Sequence, residues 1–335
     1  MKLSVIIVSY NEAEYICEAI ESCLKQSFQD FEIIIGDDGS SDGSLELIQG
    51  YTEKYPEKIK YFVMDRHNGE IILASYRVSN VIKRALDMAH GEYVLCLSGD
   101  DFYLDYRIFE DQVQFLDSDR KKKYSACVSN YQLYWNNGEK EECVFIPYTN
   151  SLSWCGGYVH LSCFMFRKSV YDQGAFLDHF CDDCGLAYSL AFSGKWKYID
   201  RNVFSYRQRD KSIMHEADVL ELKLLEVMLY QDVSIKKKMM AQSYARFYGQ
   251  IKYVYTHRAE LNAIRYEKYL VKSSEYKNDL IGFLEKYDSA PLKEKNKFFW
   301  FMRKAQFFAW FYFFWRVVFS FVPRLKFKKS ITKSK

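Results

Sequence analysis

The sequence predicts an α/β protein, a mostly parallel sheet flanked by helices with a C-terminal helical extension. Three observations point there. Over roughly the first hundred residues, short β-branched runs alternate with stretches of helical periodicity, the pattern of parallel strands joined by right-handed crossovers. The second and fourth runs end in paired acids, Asp37-Asp38 and Asp100-Asp101, at the strand end where open α/β sheets hold their ligands. At 335 residues the chain can also fill a complete α/β core and keep a sizeable remainder.

Residues 3–8 are short, continuous and β-branched, which predicts a buried parallel strand. Asn11 is placed to cap a helix over 12–25, where Ile16, Ala19, Ile20, Cys23 and Leu24 recur at helical spacing. A second strand covers 31–36 and runs into Asp37-Asp38-Gly39-Ser40-Ser41-Asp42-Gly43, followed by a helix over 44–55 and a third strand over 59–64. Asn68-Gly69 breaks the chain before a helix that starts near Ser75, reaches Ala89 and is stopped by His90-Gly91. The fourth strand, 93–97, meets Ser98-Gly99 and then Asp100 and Asp101, ahead of a helix over 104–117. The pattern is mixed thereafter. Strands are expected at 124–132 and 143–146 around an Asn136-Asn137-Gly138 turn. The apolar stretch 158–167 reads equally as extended or helical, 183–192 as a helix, and 196–199 and 203–206 as short strands. From 216 to 287 Lys, Glu, Leu, Met and Tyr dominate, predicting packed helices, and Asp288-Ser289-Ala290-Pro291 marks a boundary. The expected organisation is a catalytic domain over 1–215 (halves 1–101 and 102–215), a helical extension over 216–290 and a tail over 291–335.

A net charge of +3 does not point to nucleic acid. The nine cysteines are scattered and odd in number, which fits reduced, buried thiols in a cytoplasmic protein; Cys181 and Cys184 form a lone CxxC, a weak zinc or redox signal. The apolar run at the N-terminus is too short for a signal-peptide core and has no cleavage site behind it.

Asp100 and Asp101 offer hard oxygen ligands, or else cap the helix that follows. Asp38 suits acceptance from a ribose hydroxyl or a base N–H, whereas Asp42 is read as a helix cap. Acidic loops on neighbouring strand ends repel each other unless a cation or ligand donors lie between them.

In order, the motifs are Ser4-Val-Ile-Ile-Val-Ser-Tyr-Asn-Glu12, Ala19-Ile-Glu-Ser-Cys-Leu-Lys-Gln26, Phe31-Glu-Ile-Ile-Ile-Gly-Asp-Asp-Gly-Ser-Ser-Asp42 and Ala89-His-Gly-Glu-Tyr93 before the acid pair. As a set they resemble the family 2 inverting glycosyltransferases with the GT-A fold, over roughly residues 2–212. The resemblance implies that Ser9, Tyr10 and Glu12 lie at the nucleotide, Tyr10 stacking on the base, and that Asp38 accepts from the base N–H. It places Asp100 near the ribose and Asp101 on a Mn²⁺ or Mg²⁺ ion that binds the sugar diphosphate. Two departures stand out. Ser98 replaces an acid that many members carry, and the stretch from Gly69 to Arg84 is longer than usual, leaving Arg77, Lys83 and Arg84 as candidate nucleotide contacts with Arg77 preferred. Asp183 matches the family's catalytic base, and Asp182 takes the place of the usual Glu on the acceptor side. Arg207, Arg209 and Lys211 are implied diphosphate contacts, and His160 is a candidate on the acceptor side, with a hydrogen-bonded histidine as the alternative.

Fourteen of the 24 residues from 298 to 321 are aromatic, interrupted by Arg303, Lys304 and Arg316. That favours an amphipathic helix in a membrane interface over a spanning helix, with burial in an oligomer interface as the alternative. Six basic residues and no acid follow Pro323, suited to an anionic lipid surface. The expectation is a peripheral enzyme on the inner face of the cell membrane. It would move a sugar from a nucleoside diphosphate sugar, UDP-linked, to a saccharide acceptor that is lipid-linked, in surface polysaccharide assembly. Rival readings are an inactive scaffold of a polysaccharide-synthesis complex and a sugar nucleotidyltransferase. The latter needs a glycine-rich basic loop where Ser9-Tyr10-Asn11-Glu12 stands.

Overall fold

The computed structural model describes residues 1–65, 74–135, 137–143, 160–174, 186, 187, 189, 190, 193–209 and 307. The chain divides into two compact units. One comprises Met1–Asp65, Val78–Ser212 and Pro323–Lys335; the other comprises Arg66–Arg77 and Ile213–Val322, of which residues 74–77 and 307 are described.

In chain order the described elements are β1 (Leu3–Ser9), α1 (Ile16–Leu24), β2 (Phe31–Asp37), α2 (Ser44–Lys54), β3 (Ile59–Val63), α3 (Ala74–Met88), β4 (Tyr93–Ser98) and β5 (Phe102–Tyr103). They continue with α4 (Ile108–Ser118), β6 (Tyr124–Trp135), β7 (Lys140–Cys143), a 3₁₀ turn Leu161–Cys163 leading into β8 (Phe164–Arg167), α5 (Lys168–Asp172) and β9 (Lys195–Gln208). One sheet orders the strands β3-β2-β1-β4-β8-β6-β9-β5, with β7 on β6.

Every residue of β1 and β2 is buried, as expected of strands covered on both faces. The alternating half of the sequence gives β3-β2-β1-β4, all parallel, with Leu3 opposite Phe31 and Tyr93, Ser9 opposite Asp37, and Val8 opposite Ser98. The three central strands therefore end level, and their loops open on one edge. Beyond β4 the sheet is mixed. β8 runs antiparallel to both β4 and β6, while β6 and β9 are parallel over a long register. The stretch left open between strand and helix is both in turn, the 3₁₀ turn and then β8.

Other differences have local causes. Asn11 does not cap α1, which starts at Ile16; it sits at φ 52 and bonds to the next loop instead. The helix expected from 104 begins at Ile108 because Phe102 and Tyr103 pair with Ser205 and Phe204 of β9. The two short strands expected near 196 and 203 are one strand, β9. β7 precedes its expected position, residues 144–146 lying outside the described set. Residues 186, 187, 189, 190 and 193 are helical, in keeping with the helix expected there.

α1 packs Ile16, Ala19, Ile20 and Cys23 against the sheet, each fully buried side chain of Leu or Ile size contributing about 1.5–3 kcal/mol. α3 lies so close over β2 that a Cβ on Gly36 would stand 2.3 Å from Val81 Cγ1. Cys23, Cys96, Cys127 and Cys163 are buried, as expected of cysteines in apolar runs. At the edge away from the loops, Ser4 Oγ donates to Glu32 Oε1 (2.8 Å) and accepts the Gly91 N–H (2.8 Å), while the His90 N–H also donates to Glu32 Oε1 (2.8 Å). Burial alone would push Glu32 up, but the His90 and Ser4 donors hold its carboxyl below the ordinary value.

Candidate functional site

The edge where β1, β2 and β4 end is laced together by short polar side chains. The Asp38 N–H donates to the Ser9 carbonyl (2.9 Å), so the β2 loop leaves the sheet beside β1. Asp37 is consumed by its own turn, Oδ1 accepting the Ser40 N–H (2.8 Å) and Oδ2 the Ser40 hydroxyl (2.6 Å). Asn11 bridges the loops: its N–H donates to Ser40 Oγ (2.9 Å) and its Oδ1 accepts the Ser41 N–H (2.9 Å). Its left-handed backbone turns the chain to make that reach, a conformation Asn tolerates better than most residues.

The sequence assigns Asp42 as the cap of α2; the N-cap is Gly43, and Asp42 ties the turn from one position earlier. Oδ1 accepts the N–H and hydroxyl of Ser44, Oδ2 accepts the Ala13 N–H (3.0 Å), and Gly43 at φ 97 opens α2. Burial opposes these donors, yet they hold the Asp42 carboxyl below its ordinary value. Ser44 Oγ also accepts the Glu12 N–H (2.8 Å).

The acid pair follows β4. Gly99 lies against Glu12: an added Cβ would stand 2.1 Å from Glu12 Oε2, so the carboxylate would have to shift. Glu12, Asp100 and Asp101 are all buried. Burial and the nearby Asp100 carboxylate push Glu12 well above its usual value, and the same two causes raise Asp101. Arg209 Nη2 pairs with Asp100 Oδ2 (2.5 Å) and reaches Glu12 Oε1 (3.4 Å). Arg207 donates its backbone N–H to Asp101 Oδ1 (2.9 Å), Nε–H to the Asp100 carbonyl (2.9 Å) and Nη2 to Glu18 Oε2 (2.5 Å). Its guanidinium carbon stands 4.7 Å from the Tyr15 ring centroid and 5.3 Å from those of Phe102 and Tyr134. Among the described residues, Ser9 Oγ, Glu12 Oε2, Asp101 Oδ2 and Arg209 Nε are buried without a hydrogen-bond partner.

Of the residues singled out in the sequence, Ser9, Glu12, Asp38, Asp100, Asp101, Arg207 and Arg209 come to this one edge. Tyr10 is 37% exposed on the loop after β1. Arg77 is buried within α3, whereas Arg84 donates to the Val63 carbonyl (3.3 Å) and lies over Phe62. His160 is buried at 5% exposure, its Nε2 3.6 Å from Asp101 Oδ2. Burial lowers its pKa to about 4 against the pull of Asp100, so the ring is neutral near pH 7. Asp182, Asp183 and Lys211 lie outside the described residues, as does the tail apart from Phe307. Among the described residues no helix is long and apolar enough to cross a membrane.

Sequence reasoning missed Gly99, Ser44, Asn11 as a tether and Glu18 as the partner of Arg207. Gly99 carried a signal, a glycine wedged between a strand and two acids. Glu18 carried none, being one more acid on an amphipathic helix.

A family model described as glycosyl transferase family 2 matches residues 4–174. An uncharacterized glycosyltransferase of Nostoc, alr2836, is 28% identical over 62% of this chain and 65% of its own. The chain spans that 65% of one relative and 38–40% of several others. Among solved structures, Staphylococcus aureus TarS 1-349 in complex with UDP-GlcNAc aligns with a TM-score of 0.58 at 18% identity, covering 85% of this chain and 81% of that one. The mannosyltransferase PcManGT of Pyrobaculum calidifontis, in complex with GDP-Man and Mn²⁺, aligns with a TM-score of 0.52 at 15% identity over 91% and 86%. At such identities the likeness is one of fold, and both are GT-A proteins.

Proposed function

The chain belongs to glycosyl transferase family 2, and on that premise we propose that it moves a sugar from a UDP-linked donor to a hydroxyl of a saccharide acceptor, inverting the anomeric carbon. The observation that carries the reading is the gathering of Ser9, Glu12, Asp38, Asp100 and Asp101 at one sheet edge. Ser9, Tyr10, Glu12 and Asp38 would receive the nucleotide, with Asp100 at the ribose and Arg77 as a further nucleotide contact. TarS with UDP-GlcNAc supports a UDP donor by analogy of fold.

Asp101 offers a divalent cation a hard oxygen, its Oδ2 being buried without a hydrogen-bond partner, while among the described residues no three His, Cys, Asp or Glu side chains converge as a metal centre. Asp101 would hold Mn²⁺ or Mg²⁺, and the ion, when bound, offsets charge on the leaving diphosphate. Arg209 and Lys211 are the proposed basic contacts of that diphosphate. Arg207, implied for the same role by resemblance, spends its guanidinium on Glu18 and the Asp100 carbonyl.

Asp183 is the proposed base. Its carboxylate takes the proton of the acceptor hydroxyl while that oxygen bonds to the anomeric carbon, and the bond to the diphosphate breaks with its electron pair leaving on the diphosphate. Asp182, its neighbour in the sequence, is the proposed acceptor-side residue. The aromatic and basic stretch 297–335 supports a peripheral position on the inner membrane face, and with it a lipid-linked acceptor in surface polysaccharide assembly.

The test is a panel of sugar nucleotides incubated with protein and Mn²⁺, following UDP release. Release from at least one UDP-sugar is expected, and Asp183→Asn should lower acceptor-dependent turnover about 10²–10⁴-fold with UDP affinity unchanged. Silence across the panel would favour the scaffold reading, and pyrophosphate formation the nucleotidyltransferase. Deleting residues 296–335 should release the protein from liposomes without altering UDP affinity; continued flotation would remove the membrane part of the proposal.

A further inference from the structure

We propose that His160 is a positioning residue for Asp101, presenting a ring proton to the carboxylate oxygen that Arg207 leaves open. The inference rests on the reading of Asp101 as the metal ligand. His160 precedes the 3₁₀ turn Leu161–Cys163, and its Nδ1 accepts the Ser162 N–H at 3.2 Å. A neutral imidazole that accepts at Nδ1 carries its proton on Nε2. That nitrogen faces Asp101 Oδ2 at 3.6 Å.

The carboxylate supplies the complementary half. Asp101 Oδ1 is fixed by the Arg207 N–H at 2.9 Å, while Oδ2 is buried and has no hydrogen-bond partner among the described residues. A separation of 3.6 Å exceeds a hydrogen bond, but the terminal torsion of Asp is soft enough for a small rotation to close it. The ring itself has little freedom: its centroid lies 4.5 Å from that of Tyr206, 5.1 Å from Phe204 and 6.2 Å from Tyr131. Two residues far apart in the chain thus address the two oxygens of one carboxylate, which is how metal-binding carboxylates are oriented. The same protonation pattern disqualifies Nε2 as a metal ligand, because its lone pair is taken by the proton.

The test measures Mn²⁺ affinity by the electron paramagnetic resonance signal of the free ion, with UDP present, on the full chain. UDP affinity without metal and thermal stability are recorded alongside. His160→Phe keeps the ring and removes the proton; His160→Gln carries an amide N–H as far out as Nε2; the amide of His160→Asn reaches only the Nδ1 position. Phe and Asn should weaken Mn²⁺ binding about tenfold or more, Gln should restore most of it, and metal-free UDP affinity should not move. If Phe fails to fold, the contrast between Gln and Asn decides. Wild-type Mn²⁺ affinity in Phe or in Asn overturns the role of His160. Separately, if Asp101→Asn binds Mn²⁺ like the wild type, the metal reading of Asp101 falls and this inference with it.

Discussion

The β1–β2 side of the site and the β4–β9 side hold their carboxylates by opposite means. On the first, Asp37 is satisfied by Ser40 and Asp42 mostly by Ser44, within about three residues of themselves, with the Ala13 N–H the one longer reach. On the second, Asp101 is held by a backbone N–H 106 residues along the chain, and Asp100 by Arg209. A locally satisfied loop forms whenever its two strands do. An acid pair held by a remote strand exists only once that strand has docked, so the β4 loop inherits the stability of β9. The two sides should therefore fail differently when cut.

The largest expected effect is at Arg207. Arg207→Leu removes the bond to the Asp100 carbonyl and the cation from its ring of aromatics, costing about 2–4 kcal/mol in urea unfolding and weakening Mn²⁺ binding as well. Glu18→Gln should cost less than about 1 kcal/mol, because Glu18 is 53% exposed and screened by water. Equal losses in the two variants would mean that the ion pair, not the packed guanidinium, ties β9 to the acids. Gly99→Ala comes next, at about 1–3 kcal/mol for overpacking against the Glu12 carboxylate, and much of that should be recovered in a Glu12→Ala background. Additive losses would show that the backbone at 99, not the carboxylate, sets the limit.

Ser40→Ala, on the locally satisfied side, should cost about 1 kcal/mol by the same unfolding assay and leave Mn²⁺ affinity untouched. A drop in Mn²⁺ affinity there would erase the distinction between the two sides. The subtlest effect is one of pH. Burial and Asp100 hold Glu12 above its unfolded value, so between the two values the folded chain binds more protons and stability falls as pH rises. Glu12→Gln should be more stable than the wild type at neutral pH, the advantage shrinking toward about pH 4. A gap constant across that range would place the Glu12 proton elsewhere.

The same contrast explains what could be read from the sequence. β1, β2 and β4 announce themselves as β-branched runs, and the loop from Asp37 to Asp42 carries its turn chemistry within a few residues. Their gathering at one edge follows from parallel register alone. β5 is two residues long and exists only because β9 lies beside it, so no local pattern marks it. Asn11 looked like a helix cap because its type suits both parts; the choice was made by Ser40 and Ser41, thirty or so residues later. His160 was legible as a candidate but not as a neighbour of Asp101, a pairing settled by β8 entering the sheet antiparallel next to β4.

The latch among Ser4, Glu32, His90 and Gly91 makes β4 a ruler. A Cβ on Gly91 would stand 2.4 Å from the Ser4 nitrogen, so the strand's zero mark cannot slide along β1. How far the acids project past the sheet is then a count of residues from that mark. An insertion between 93 and 98 cannot be absorbed at the anchored end; all of it would be pushed out at the other, carrying Asp100 and Asp101 beyond the reach of Arg207 and Arg209.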